Sequence, residues 1–356
     1  MKKLLSLVLS LTLTTAILAG CGGTAKTDNS ASTTTSTTAS TETNTEASGD
    51  AVKTGLAVVS SIANSADAGE KDGLAQVDSI IAAVTVGKDG KIVKCAIDAA
   101  QTKINFSTAG KIITDLKTEF KSKQELGTDY GMKKASGIGK EWNEQADAFA
   151  KYVVGKTIEE VKGIAVNDKG TAGDAELASS VTIHIGDFIA VTEKAIANSK
   201  ELGAKAGDKL GLGVSTNIAK SADAGEKDGI AQAYSMYAAS TFAADGKITS
   251  SVIDSSQSNV NFSKEGKITS DLKAPLKTKN ELGAEYGMHK ASKIRKEWNE
   301  QAAAFAQYVV GKTLEQVKGI AVNKEGVSTE AELTSSVTVH IADFQNVIEK
   351  ANANAK

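Results

Sequence analysis

The residues of this chain best suited to chemistry lie in one run, Glu176-Leu-Ala-Ser179-Ser180-Val-Thr182-Ile-His184-Ile185. The run returns as Glu332-Leu-Thr-Ser335-Ser336-Val-Thr338-Val-His340-Ile341, a shift of 338 − 182 = 156 residues. Each copy groups a carboxylate, several hydroxyls and an imidazole. Hydroxyl beside imidazole raises nucleophilic catalysis, but a nucleophile and base two apart on a strand are poorly placed to share a proton. No Gly-x-Ser-x-Gly elbow supports that chemistry either. The plainer alternative is a strand lead-in whose hydroxyls bond the local backbone.

The elements that position this run follow from periodicity. Val181, Ile183 and Ile185 alternate with Thr182, His184 and Gly186, which predicts a strand with Thr182 and His184 on one face. Residues 163–166 read as a buried strand before it, and 167–173 as a polar loop. Further upstream, Ile138, Trp142, Phe149 and Val153 form one helical stripe that Gly155 ends. Thr157 and Glu160 then have the spacing of a capping box, repeated at Thr313 and Gln316. Trp142 and Trp298 suit either a core or the flank of a planar cofactor. Tyr130 and Met132, in a Tyr-Gly-Met turn repeated at Tyr286 and Met288, suit packing or a pocket edge. Residues 76–86 and 91–97 read as a hairpin around Asp89-Gly90, and 103–106 pairs with 111–116 in a second one. The fold class expected is α+β: two tandem homologous domains, each a small antiparallel sheet with packed helices.

The 156-residue shift also superposes Trp142 on Trp298, Asp72 on Asp228 and Gln101 on Gln257 without a gap. The divisions that follow are repeat 1 at 53–198, a polar linker at 199–209 and repeat 2 at 210–356. The loop from Ser65 to Gly73 recurs identically from Ser221, but its carboxylates lack the spacing of a calcium loop, so no metal site is expected. Net charge is −2 with both signs interspersed, which argues against nucleic acid as a partner. Cys95 has Ser251 as its repeat mate, so the module needs no thiol there.

Lys2-Lys3 followed by an apolar run over 4–18 has the layout of a secretory signal peptide, residues 1–20. Leu18-Ala19-Gly20-Cys21 resembles a bacterial lipobox. That resemblance implies lipidation of Cys21 and a mature protein anchored to the outer face of the cell membrane. Residues 21–52, rich in Ser and Thr, read as a disordered tether.

With these residues in view, Glu176, Ser179 and Thr182 resemble the flavinylation motif of covalent FMN-binding domains. That motif runs Asp, two residues, Ser or Thr, Gly, Ala, then the acceptor Thr or Ser. Here Glu176 and Glu332 stand for Asp, Ser180 and Ser336 for Gly, and Val181 and Val337 for Ala. Taken with the lipobox and tether, the chain is similar to flavin-bearing lipoproteins of Gram-positive extracellular electron transfer. The resemblance implies FMN joined by a flavin transferase through a phosphoester to Thr182 and Thr338. Ser179, Ser180, Ser335 and Ser336 would hold the phosphate, and His184 and His340 would pair with it or lie beside the ring. Electrons would pass from a membrane quinol and NADH dehydrogenase system to extracellular acceptors such as ferric iron. This implies an electron carrier more than an enzyme with its own substrate. The same resemblance implies that a peptide pheromone is cut from the signal. The competing expectation is a lipoprotein binding module for peptide, glycan or wall polymer, duplicated for avidity; a spacer domain is the third.

Overall fold

The computed structural model of the chain describes residues 49–356. The expected signal peptide, the expected lipidation of Cys21 and the expected tether up to residue 48 lie outside the described residues. The first strand begins at Ala51, so the last residues assigned to the tether belong to the sheet.

Repeat 1 opens with three long strands, β1 (Ala51–Ser61), β2 (Gly73–Val86) and β3 (Ile92–Phe106), followed by the short β4 (Glu119–Phe120). Helices α1 (Lys123–Leu126), α2 (Trp142–Tyr152), α3 (Ile158–Lys162), α4 (Ala175–Ala178) and α5 (Gly186–Ala197) complete it. Next come β5 (Lys200–Lys205), β6 (Lys209–Asn217), β7 (Gly229–Phe242) and β8 (Ile248–Phe262). Helices α6 (Lys279–Leu282), α7 (Trp298–Tyr308), α8 (Leu314–Lys318), α9 (Ala331–Thr334) and α10 (Ala342–Ala353) repeat the helical half. The expected capping boxes are present, with Thr157 and Thr313 each accepting from the third residue of the helix it opens.

The α+β class is as expected, with two four-stranded antiparallel sheets in the orders β3-β2-β1-β5 and β4-β6-β7-β8. The membership of those sheets differs from the expectation. β4 comes from repeat 1 but pairs with β6 of repeat 2, Glu119 opposite Asn217. Residues 199–209 are no linker, since β5 lies within them and pairs with β1 at the sheet edge. Charged Lys200 and Glu201 suit an exposed edge strand, which is why this stretch reads as a polar hinge. In repeat 2 the position of Glu119 is Pro275, which has no N–H to give a ladder, and no strand forms there. Residues 103–106 are the end of the long β3, and 111–116 adds only a single bridge, Phe106 with Ile112.

Alternate residues of β2 explain its unbroken apolar run. Ala82 and Val84 pack toward α2 and α5, together with Phe149, Phe188 and Val191. Ile81 and Ala83 pack toward the other sheet, against Leu210, Leu212 and Tyr237. A strand buried on both faces loses its polar alternation. The layers are therefore helix, sheet, sheet, helix, and the described residues fall into one compact unit. Helices sit close on the sheets through glycine: a Cβ at Gly55 would lie 2.0 Å from Ala195 O, and one at Gly211 1.9 Å from Ala351 O.

The contact between repeats is reciprocal, as a two-fold relation requires. Asp67 Oδ1 accepts the Ile268 N–H, and Asp223 Oδ1 accepts the Ile112 N–H, each at 2.8 Å. Ala68 N–H donates to Gly266 O, and Ala224 N–H to Gly110 O, again at 2.8 Å. Lys194 pairs with Glu281 at 2.6 Å, and Lys350 with Glu125. The acidic loop from Ser65 thus spends Asp67 on the other repeat, and among the described residues no group of side chains is arranged to hold a metal ion.

Candidate functional site

Thr182 lies between α4 and α5 in a segment without strand pairing, against the expected strand. The physical reason lies in where the backbone bonds go. Val181 N–H bonds Leu177 O, closing the last turn of α4, and Ile185 N–H bonds Gly170 O, so no neighbouring strand is needed. The inside–outside alternation survives as packing alone. Val181 and Ile185 are fully buried, whereas Thr182 and His184 are exposed. The same holds for Val337 and Ile341 in repeat 2. Residues 163–166 likewise form no strand, only a bridge of Val166 to Ala172 with Val166 exposed.

The threonine is held by a residue that the sequence reading missed. Gln145, fully buried on α2, accepts the Thr182 N–H at 2.8 Å and faces Thr182 Oγ1 at 3.3 Å through the same Oε1. Its Nε2 donates to Ser136 Oγ and Lys140 O, which fixes the amide. Gln301 repeats the arrangement on Thr338, at 2.8 and 3.2 Å, with Ser292 and Lys296 behind it. One turn earlier on the same helix face, the buried Glu141 carboxylate accepts the N–H groups of Met132 and Lys133. Glu297 does so for Met288 and His289. The Tyr-Gly-Met turn and the threonine are thereby fastened to one helix. The available signal was the pentapeptide Glu-Trp-Asn-Glu-Gln, identical at 141 and 297.

Beside this helix stands a cation among aromatic rings. Lys123 Nζ lies 4.6 Å over the Tyr130 ring and 5.2 Å over Trp142. In repeat 2, Lys279 Nζ lies 4.8 Å over each of Tyr234, Tyr286 and Trp298. Burial pushes the Lys279 ammonium down to about 8, with Asp343 and Asp254 acting in the opposite sense. Desolvation in turn holds Asp343 above the usual carboxylate range, with His340 and Lys279 opposing it. The tryptophans themselves are core residues: Trp142 and Trp298 are nearly buried and meet Phe188 and Phe344 edge-on, each at 5.7 Å.

The other expected site residues are less engaged. Ser179 Oγ donates to Glu176 O at 2.7 Å and Ser180 Oγ to Leu177 O at 3.2 Å, as helix-end hydroxyls do. Ser336 repeats the second bond, to Leu333 O, while Thr334 and not Ser335 bonds a carbonyl of α9. Ser179 and Ser335 are exposed, and Ser180 and Ser336 are half-buried. Glu176 and Glu332 are exposed on the first turns of α4 and α9, near Tyr152 and Tyr308, whose phenols are raised by burial, then by Asp174 and Glu330, and last by these carboxylates. His184 lies over Gly170, where a Cβ would come within 3.4 Å of its ring, and Gly326 is placed similarly under His340 at 3.8 Å. The positive φ of both glycines makes that turn possible.

Two clefts lie where the repeats meet. One, of about 310 Å³, is lined by Cys95, Asp98, Gln124, Asp147 and Leu212; its pseudo-symmetric counterpart, of about 520 Å³, by Leu56, Lys194, Ser251, Asp254 and Asn280. Burial pushes Asp98 and Asp254 up to about 6, although each carboxylate accepts two backbone N–H groups. Burial also raises the Cys95 thiol to about 12, which keeps it protonated and unreactive.

Comparison with known protein families, curated proteins and solved structures finds no match for this chain.

Proposed function

We propose that the chain is a lipid-anchored extracellular flavoprotein that carries covalent FMN on Thr182 and Thr338 and relays electrons. Its main support is the repeated geometry of those two residues. In each, the backbone and hydroxyl of a threonine, exposed at 182 and half-buried at 338, are held by a fully buried glutamine, and the two copies agree to within 0.1 Å. Thr182 and Thr338 accept the FMN phosphoryl group from FAD, with AMP leaving and a flavin transferase providing the base. Gln145 and Gln301 are positioning residues: each Oε1 accepts from the threonine N–H and hydroxyl, which fixes Oγ1, and an amide oxygen cannot take its proton. Ser179, Ser180, Ser335 and Ser336 lie at the ends of α4 and α9, within one turn of the acceptor, where hydroxyls suit phosphate oxygens. Tyr130 and Met132, with Tyr286 and Met288, are half-exposed and offer contacts to an isoalloxazine, Lys123 adds a half-exposed cation, and Lys279 acts from beneath its rings. When bound, FMN supplies the redox chemistry, and the protein supplies anchorage and electrostatics. The donor is then a quinol or NADH dehydrogenase system at the membrane, and the acceptor ferric iron or another extracellular oxidant. In this reading the chain has no substrate of its own.

The test is the intact mass of residues 22–356, exported with and without a flavin transferase. Two FMN increments are expected, one lost in Thr182→Ala and one in Thr338→Ala. No increment with a transferase active on a control substrate rejects the reading.

The two inter-repeat clefts favour a second reading, a binding module for a small ligand or polymer end. Their volumes lie in or near the range of ligand pockets, and they sit at an interface, where such pockets concentrate. That reading predicts no covalent flavin and binding that Thr338→Ala leaves intact.

A further inference from the structure

The repeats match closely around the threonines, but they differ around the cation. In repeat 1, Lys123 is half-exposed and faces two rings. In repeat 2, Lys279 is only 4% exposed and faces three. The third ring is Tyr234, whose repeat mate is Asp78. Asp78 is a carboxylate, gathering amide donors from Asn64, Gln76 and Gln101. Repeat 2 thus encloses a positive charge where repeat 1 leaves one half-exposed, and repeat 1 has a carboxylate at the position of the third ring.

The enclosed cation is linked to the acceptor threonine through α7. Trp298, beneath Lys279, opens that helix, and Gln301, which holds Thr338, is one turn further on. Asp343 bears on both Lys279 and His340, two residues beyond Thr338. We propose that the two flavin sites are electrostatically unequal, the buried Lys279 and the Tyr234-for-Asp78 exchange making repeat 2 the more readily reduced. This rests on the flavoprotein reading above.

The direction follows from charge. Reduction adds electron density to the ring, and a cation in low dielectric favours it more than one screened by water. The Asp78 carboxylate acts in the opposite sense in repeat 1. Other charges near the site do not reverse the order. Asp343 has Asp187 as its mate, Glu297 has Glu141 and His340 has His184, so these recur in both copies. Lys133 stands where repeat 2 has His289, but it is exposed and screened. Tyr234 stays neutral, since burial pushes its phenol up to about 12. The Lys279 ammonium, at about 8, keeps its charge at neutral pH. Two unequal sites give a carrier a direction, because electrons settle on repeat 2.

The experiment uses the mature chain loaded by the transferase, as Thr182→Ala and Thr338→Ala variants that each carry one FMN by mass. Spectroelectrochemical titration should find the flavin on Thr338 reduced at the higher potential. Adding Lys279→Gln to the Thr182→Ala background should lower that potential toward the repeat 1 value, and Lys279→Arg should restore it. Lys123→Gln in repeat 1 should shift its flavin less. Equal potentials in the two single-flavin variants overturn the inference, and that comparison needs no lysine variant to fold. An unmoved potential in a folded Lys279→Gln protein overturns it as well. Absence of FMN from both threonines overturns the flavoprotein reading and this inference with it.

Discussion

Phe106 and Phe262, repeat mates, stack with ring centroids 4.3 Å apart and planes 11° from parallel, both fully buried. Each closes its own repeat as well, since a Cβ on Gly73 would meet the Phe106 ring at 2.3 Å and one on Gly229 the Phe262 ring at 2.5 Å. The pair lies in a cluster drawn from both repeats, with Val77 and Ile104 on one side and Val260 and Ala233 on the other. Phe106→Ala is expected to destabilise the whole chain by about 3–5 kcal/mol, as large aromatic truncations in cores do. Phe262→Ala should cost about the same. A double-mutant cycle in urea should show coupling of about 0.5–1.5 kcal/mol for the stacked pair. Strict additivity would mean that the rings contribute burial alone.

Separating the repeats exposes the apolar sheet faces that their contact buries: Leu56, Ile81 and Ala83 lose Leu210, Leu212 and Tyr237. Because the contact is reciprocal, residues 49–208 alone are expected to self-associate and use one copy in place of repeat 2. Light scattering after size-exclusion chromatography should give a dimer. A cooperative, well-folded monomer would show that each repeat is sufficient for its own core.

Gln145→Ala removes the acceptor of the Thr182 N–H and leaves a void in α2. A loss of about 1–3 kcal/mol is expected for the orphaned donor. Flavin loading at Thr182 should fall while loading at Thr338 is unchanged. Gln145→Glu keeps an acceptor for the Thr182 N–H but loses the Nε2 donation to Ser136 Oγ and Lys140 O and buries a carboxyl against that carbonyl, so it should destabilise as well. Mass spectrometry after limited transferase reaction separates the two effects. Normal loading in Gln145→Ala would remove its positioning role.

Asp98 and Asp254 give the chain a specific pH dependence. Their carboxyls titrate near 6 in the folded protein, above the ordinary value of 3.8, because burial disfavours the charge. The folded state therefore binds more protons between these values. Their contribution to stability is fully present below 3.8, declines as pH rises through about 6, and is gone above it. Asp98→Asn keeps an acceptor for the Gln124 and Ala99 N–H groups. Asp98→Asn/Asp254→Asn should flatten the stability profile over that window in urea titrations. An unchanged slope would place the pH dependence elsewhere.

Much of the fold was legible in the chain because local rules and tertiary packing agree there. The α2 stripe through Trp142 and Phe149, the Thr157 and Thr313 capping boxes and the Asp89-Gly90 turn are short-range patterns, and each is found where expected. The exact repeat fixed the duplicate of every such element. The inward and outward sides of the run from Val181 to Ile185 were legible too, since alternation reports burial. Alternation could not say whether a partner strand exists, and the backbone of that run bonds Leu177 and Gly170 instead. Only the tertiary structure decided that β4 crosses to the other repeat, that 200–205 is a strand and that both sheet faces are buried. Pairings over such distances carry no signature in local composition. The same holds at the site: the sequence marked Thr182 and Thr338, while the folded chain brought Gln145 and Gln301, both 37 residues earlier, to hold them. A buried amide looks like any helix-surface glutamine until the packing around it is known.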